Sequence, residues 1–570
     1  MAIAGGRAGQ QGDGKRNRRD GQGGRVGQGG RAGTGASGQG GLWVLVATIL
    51  GSSLSFIDGT VVNVALPTLQ RDLGATGADA QWVIEAYSLF LAALILVGGS
   101  LGDRLGRRLV YAIGIAIFAA SSVLCGLAPN IALLIAGRAV QGVGGALLVP
   151  GSLAIISAYF AGSERGKAIG TWSGFTTVTS ALGPLLGGWL VQNASWRWVF
   201  FINIPLAALT LVILFWRVPE SRDAQAQGHI DYLGAALATL GLGGVVYGLI
   251  AAGVAGFGQP VVLVTLGGGI IALALFLLAE ARERVPMMPL DLFRSRTFSG
   301  ANLLTLLLYG ALGGALYFLP FNLQQVQGYS PLQAGAALLP FTIVVFALSR
   351  WTGGLVQRVG ARIPLVVGPL LVAAGFALYI LPGVGGSYWT TFFPAVLVMS
   401  AGMALVIAPL TTTVMGAVAQ EHSGVASGIN NAVSRASGLL FIAVLGIVVA
   451  ATFNNALDGH VASLHLAPAA RHVLDAQRVR LAGTPPPPGL DAATRDAVKR
   501  SVAASYVSGF RVAMAVGVAL ALISALTALF TIEGKGKDAT ADAGATDPAD
   551  PAHPVHAHGS ASRRLTTGQA

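Results

Sequence analysis

AQWVIEAYSLFLAALILVGGSLGDRLGRR, residues 80–108, decides how this chain is read. From residue 80 to 101 it is apolar apart from Gln81, Glu85 and small hydroxyl residues. About 20 such residues cross a ~30 Å hydrocarbon core as a helix. The run ends in a Gly-rich loop carrying Asp103, Arg104, Arg107 and Arg108. A charge in such a run costs roughly 2.5–3.5 kcal/mol on insertion scales, so Glu85 has to face a protein interior or a cavity.

Comparable runs fall at 42–67, 80–101, 109–127, 131–158, 168–191, 198–216, 231–254, 260–279, 298–324, 332–356, 363–382, 389–416, 424–451 and 503–531, which predicts fourteen transmembrane helices. Composition agrees. Only 11% of the 570 residues are charged, against about 25% in a soluble domain. The chain cannot cover a water-facing surface and has to present apolar side chains to lipid. Most of the 80 Gly lie inside the apolar runs, where small residues let helices approach closely. The single cysteine, Cys125, leaves no intramolecular disulfide and reads as a small packing residue.

The net charge of +12 does not point to nucleic acid, because it is concentrated in the N-terminal tail and in alternate short loops. Arg104, Arg107 and Arg108, Arg165 and Lys167, Arg217 and Arg222, Arg294 and Arg296, and Arg358 and Arg362 all fall on one side, with the tail. Cytoplasmic loops carry such an excess of Lys and Arg. Both termini are therefore expected in the cytoplasm of a plasma-membrane protein. Residues 1–41 have no apolar core and read as a disordered basic tail rather than a secretory signal. Residues 533–570 read as a second tail. Its His553, His556 and His558 are expected to be solvated, with no metal or cofactor called for.

The loop at 99–108 has a counterpart. Gly353-Gly-Leu-Val-Gln357-Arg358-Val-Gly360-Ala-Arg362 repeats its Gly, Leu, Arg, Gly and final Arg, with Gln357 in place of Asp103. Repeats of this kind mark transporters built from two similar halves. The expected division is a six-helix bundle over 42–217, two extra helices with linkers over 218–296, and a second six-helix bundle over 297–532 that includes an outer loop at 452–502.

Asp58, Glu85 and Arg138 sit inside the first, second and fourth spans at broadly similar depth. A carboxyl group in a dry cavity keeps its proton to higher pH than one in water, and a neighbouring Arg opposes that. Such a cluster can exchange protons for solute, or it can be an ion pair that only fixes packing. Asn63, Gln141, Asn431 and Arg435 are further polar residues placed to line a cavity. Asn431 and its neighbour Asn430 fit helix–helix contact equally well.

The ordered motifs carry a resemblance. Asp58-Gly-Thr60-Val61-Val-Asn63-Val-Ala65-Leu-Pro67, the loop Gly99-x-Leu-x-Asp103-Arg104-x-Gly106-Arg107-Arg108, Arg138-x-x-Gln141-Gly142-x-Gly144-Gly145, Gly183-Pro184-x-x-Gly187-Gly188 and Trp196-Arg197-Trp198-Val-Phe200-Phe-Ile-Asn203-Ile-Pro205 occur on the right spans in the right order. The chain resembles the major facilitator superfamily, specifically its fourteen-span drug:proton antiporter branch of the QacA and EmrB type.

The resemblance implies an all-α membrane fold of two six-helix bundles working by alternating access. It implies that Asp103, Arg104 and Arg107, framed by Gly99 and Gly106, form a cytoplasmic latch holding the outward-open state. It also implies that Asp58, Glu85 and Arg138 couple protons to substrate, and that Gly183, Pro184, Gly187 and Gly188 form an antiporter motif. The family's further Gly, four residues before Gly183, is Thr179 here.

No Gly-x-x-x-x-Gly-Lys-Ser/Thr loop and no His-Glu-x-x-His occurs, so energy is expected from an ion gradient. The expected activity is proton-coupled export of hydrophobic, often cationic, compounds by a monomer that is not an enzyme. Its expected partners are small molecules, protons and the bilayer. Dedicated export of one metabolite or self-made antibiotic is the alternative. A non-transporting sensor or enzyme fits the latch motif less well.

Overall fold

A computed structural model describes residues 37–222, 231–283, 286, 288–419 and 423–534, and it contains no strand among them. The helices are α1 (Ser37–Asp72), α2 (Gly77–Leu105), α3 (Arg107–Leu127), α4 (Ile131–Tyr159), α5 (Gly162–Asn193), α6 (Trp198–Phe201), α7 (Asn203–Arg217), α8 (Tyr232–Ala255) and α9 (Pro260–Arg282). After a linker follow α10 (Arg296–Phe321), α11 (Pro331–Ala336), α12 (Leu339–Val359), α13 (Arg362–Ile380), α14 (Tyr388–Thr391), α15 (Phe393–Gly416), α16 (Ser423–Ala462), α17 (Pro468–Gln477) and α18 (Ala492–Thr531). Thirteen spans among the described residues are long and apolar enough to cross a membrane. The predicted span at 168–191 falls in α5, which is richer in Ser, Thr and Gly and is not one of the thirteen.

Several expected boundaries are corrected. Residues 37–41 belong to α1 rather than to the tail. The tail segments 1–36 and 535–570, with the Arg-Gly repeats and the His tract, lie outside the described residues. The span at 332–356 is broken between α11 and α12, where Pro340 opens the new helix. Proline has no N–H to continue the preceding ladder. The outer loop shrinks from 452–502 to 463–491, because α16 continues to Ala462 and α18 starts at Ala492. Counting apolar residues measures the hydrocarbon layer, whereas a capped helix continues into water. Asp491 caps α18 by accepting from Thr494 N at 3.0 Å.

Close packing depends on where Pro and Gly fall. Pro184 cannot donate to Ser180 O, and the hydroxyl of Thr60 on α1 donates to that carbonyl instead, at 3.3 Å. Gly183 makes room for it, since a Cβ there would lie 1.9 Å from Thr60 Oγ1. At Gly187 a Cβ would lie 2.8 Å from Val61 O, so α1 and α5 touch backbone to backbone. Gly188 faces the later half of the chain, where a Cβ would lie 2.4 Å from Pro331 O of α11.

The later half therefore meets the earlier one on the face opposite the basic loops. There Gln324 Nε2 donates to Val64 O at 2.8 Å and Gln325 Nε2 to Gln70 Oε1 at 3.0 Å. The turn Arg478–Gly483 lies across the same seam, with Gln70 Nε2 donating to Arg480 O at 3.3 Å. α8 and α9 pair with each other, and α8 leans on α2 and α16.

On the basic face, Gly106 adopts φ +118° between α2 and α3, and Gly360, its repeat counterpart, adopts φ +79° after α12. This positive-φ turn, open to Gly without strain, accounts for the repeated glycine.

Substituting Gly187→Ala is expected to cost about 1–3 kcal/mol through overpacking. Gly170→Ala, where a Cβ meets open space, is expected to leave stability unchanged or slightly raised. Thermal unfolding of the detergent-solubilised protein checks both.

Candidate functional site

Asp58 and Arg138 meet in the core between α1 and α4, both essentially fully buried. Arg138 Nη1 donates to Asp58 Oδ2 at 2.5 Å and to Gln141 Oε1 at 2.8 Å, while its Nε donates to Val83 O at 2.9 Å. The other carboxylate oxygen, Oδ1, accepts from Gln141 Nε2 at 2.9 Å and from Asn203 Nδ2 at 3.3 Å. Both amides also donate to Ser122 Oγ, at 2.9 and 3.2 Å. The guanidinium is roofed by Tyr87, whose ring centroid lies 4.4 Å from its carbon, and Tyr87 shares a 2.7 Å hydrogen bond with Ser55. A buried ion pair offsets its desolvation only when its remaining donors and acceptors are satisfied. Here residues from α1, α2, α4 and α7 supply partners for both carboxylate oxygens and for Nε and Nη1 of the guanidinium.

Gln141, expected to line a cavity, is fully buried inside this network instead. Its side chain orients Asp58. Asn203 and Ser122 complete the set. Asn203 stood in a quoted motif without a role, and Ser122 had no signal, being one of many Ser in apolar runs.

Glu85 is separate from the pair. It is 0% exposed, and neither carboxyl oxygen has a hydrogen-bond partner among the described residues. It sits half a turn before Tyr87 on α2, the helix that packs against α16 of the later half. Gln81, one turn back, has an unsatisfied Nε2 as well. Burying an ionised carboxylate without a partner is among the costliest arrangements available to a side chain.

The basic segment expected as a loop is instead the last turn of α2 and the first of α3, joined at Gly106, and it is held within its own half. Arg107 pairs with Asp103 at 2.8 Å. Glu220, which sequence reading passed over, accepts from Arg108 N at 2.9 Å and Leu109 N at 3.1 Å. A carboxylate there caps the first turn of α3 and suits its dipole. Among the described residues no hydrogen bond or ion pair joins Gly99–Arg108 to a helix after Arg296. Arg104 is half-buried and unpaired among them, and Gly99 faces Pro150 of α4.

A cavity of about 210 Å³ opens between α10, α15 and α16, with Tyr309, Thr411, Ser427, Asn430, Asn431 and Ser434 on its wall. Asn430 is committed to helix contact, donating to Asn302 Oδ1 at 3.1 Å and Thr305 Oγ1 at 2.7 Å. Asn431 is exposed to the cavity. Asn63 is half-buried on α1 and donates to Gly59 O at 3.3 Å.

Replacing Asp58 by Asn strands a buried guanidinium, and roughly 3–5 kcal/mol of stability should be lost. The double variant Asp58→Asn/Arg138→Gln should be more stable than the sum of the single losses predicts. Unfolding midpoints of the four proteins in one detergent check this.

The sequence profile of the Major Facilitator Superfamily matches residues 48–442. The multidrug resistance protein Stp of Mycobacterium tuberculosis is 36% identical over 434 residues, covering 76% of this chain and 80% of that protein. The tetracenomycin C resistance and export protein of Streptomyces glaucescens is 35% identical over 496 residues, covering 85% and 91%. Among solved structures, a bacterial homologue of the human lysosomal transporter Spinster, inward-facing and unoccupied, superposes with TM-score 0.60 at 18% identity over 88% of this chain and all of that one. The chain is a multi-pass membrane protein, and it belongs to the major facilitator superfamily of transporters.

Proposed function

We propose that the protein is a proton-coupled exporter that works by alternating access. Glu85 carries the proton, and the Asp58–Arg138 pair transmits its arrival and departure. The observation that carries this reading is the burial of Glu85, wholly enclosed with no ion pair and no hydrogen bond of good geometry among the described residues, the Gln81 amide one turn back lying beside it. A proton makes that burial tolerable, and its loss favours any rearrangement that admits water or a cation. Glu85 lies on a helix at the junction of the halves, so such a rearrangement would move the gate. Tyr87, two residues on along α2, roofs Arg138, so a shift of α2 on proton loss would be felt at the pair.

The asymmetric seams support the alternating-access part. The face opposite the basic loops is joined across the halves by Gln324, Gln325 and Gly188, while the basic loop is tied only to its own half. We read the basic face as cytoplasmic and this state as inward-open, with the latch of Asp103, Arg104 and Arg107 disengaged. The latch would then engage the later half in the outward-open state. On this reading the bundles are 42–217 and 297–532, α8 and α9 are additions beside them, and both termini are cytoplasmic. The protein works as a monomer in the plasma membrane.

Dedicated export of one antibiotic is a second reading. The relative that exports tetracenomycin C aligns over 91% of its length, so the likeness includes the substrate-facing helices.

Purified protein in proteoliposomes tests the coupling, with tetracenomycin C as the first probe. An imposed pH gradient should drive its accumulation against a concentration gradient. Glu85→Gln should abolish that while preserving exchange down a concentration gradient. Full gradient-driven accumulation by Glu85→Gln would remove Glu85 from the mechanism.

A further inference from the structure

Arg435 is the charge in the core that the proton mechanism does not use. It lies twelve residues into α16, ~18 Å from the helix start at 1.5 Å per residue, at membrane depth. No hydrogen bond or ion pair reaches its guanidinium among the described residues. It does not face lipid, since it stands within electrostatic range of Tyr87 on α2, across the junction of the halves. It is half-buried, and its nitrogens are not among the sealed polar atoms, so protein does not cover the charged end completely. Asn431, one turn earlier on the same face, lines the cavity beside Ser434 and Tyr309.

Charge balance sets what can bind there. Asp58 is saturated by Arg138, Gln141 and Asn203. No carboxylate is paired with Arg435 among the described residues, so its positive charge is left over in the core. A guanidinium at this depth is expected to find a counterion or to mark a substrate path, and the chain supplies no counterion among the described residues.

We propose that Arg435, with Asn431 beside it, binds an oxyanion of the substrate, such as a carboxylate or ionised phenol, while the rest of the molecule lies in the cavity against Tyr309 and Ile407. The fork of the guanidinium suits two parallel hydrogen bonds to such a group. Asn431 adds an amide donor, and Tyr309 and Ser434 supply neutral hydroxyls. The substrates favoured are therefore acidic ring compounds rather than the cations expected from sequence. This deepens the export reading and relies on it only for the direction of transport.

The test uses three compounds on one ring system: 2-naphthoate, 2-naphthamide and 2-naphthylmethylammonium. Their binding to the full chain in lipid nanodiscs is measured by calorimetry. The wild type should bind the carboxylate about tenfold more tightly than the amide, the scale of a charge-assisted hydrogen bond, and the ammonium most weakly. Arg435→Gln should erase the preference while leaving amide binding within about twofold, and Arg435→Lys should retain part of it. Equal wild-type binding of carboxylate and amide, or a preference that survives Arg435→Gln, overturns the proposal. If Arg435→Gln does not fold, the wild-type and Arg435→Lys comparisons still decide it. Loss of pH-driven transport with the carboxylate preference intact would overturn the export reading and leave this site standing.

Discussion

One constraint organises the first half of this molecule: a charge placed in the membrane interior has to be answered by other groups on the spot. Arg138 is answered by Asp58, by a backbone carbonyl at Val83 and by the Tyr87 ring. Asp58 is answered in turn by Gln141 and Asn203, and these by Ser122. The residues come from α1, α2, α3, α4 and α7, so the network fixes how five helices sit together. Removing one partner leaves a buried charge in a low dielectric, and for that reason the pair and its partners stand or fall together. Glu85 lies outside the network, on the same helix as Tyr87.

The packing serves this arrangement. Proline frees a carbonyl inside a helix, a hydroxyl from the neighbouring helix takes it, and glycine clears the space. Ser180, Thr60 and Gly183 show the sequence of cause and effect. The same α5 helix turns Gly188 toward α11, so one short motif holds both a contact within the first half and a contact between the halves. A motif at such a junction sets how closely the halves approach on this face, which gives a physical reason for Gly at these positions beyond the fit of single helices.

Much of the fold was legible because lipid enforces simple rules. Apolar length located the spans, and the paired glycines at 106 and 360 located the repeat through a positive-φ turn. The embedded charges at 58, 85 and 138 stood out against apolar surroundings. What remained hidden depends on distance in sequence. Ser122 and Asn203 lie 64 and 145 residues from Asp58, and nothing local separates them from other small polar residues. Glu220 caps α3 from a segment more than a hundred residues away. The lengths of α16 and α18 were hidden for another reason: their outer turns are polar, so hydropathy stops at the hydrocarbon edge while the hydrogen-bond ladder continues. Grouping Glu85 with Asp58 and Arg138 missed that Glu85 makes no hydrogen bond or ion pair with either of them.

The central claim is that occupancy of the substrate cavity and protonation of Glu85 oppose each other. Adding an exported compound to purified protein in weak buffer, with pH followed directly, measures this without membranes or gradients. Protons should be released on binding by the wild type and not by Glu85→Gln. Binding without proton release in the wild type, or equal release by both proteins, would contradict the account.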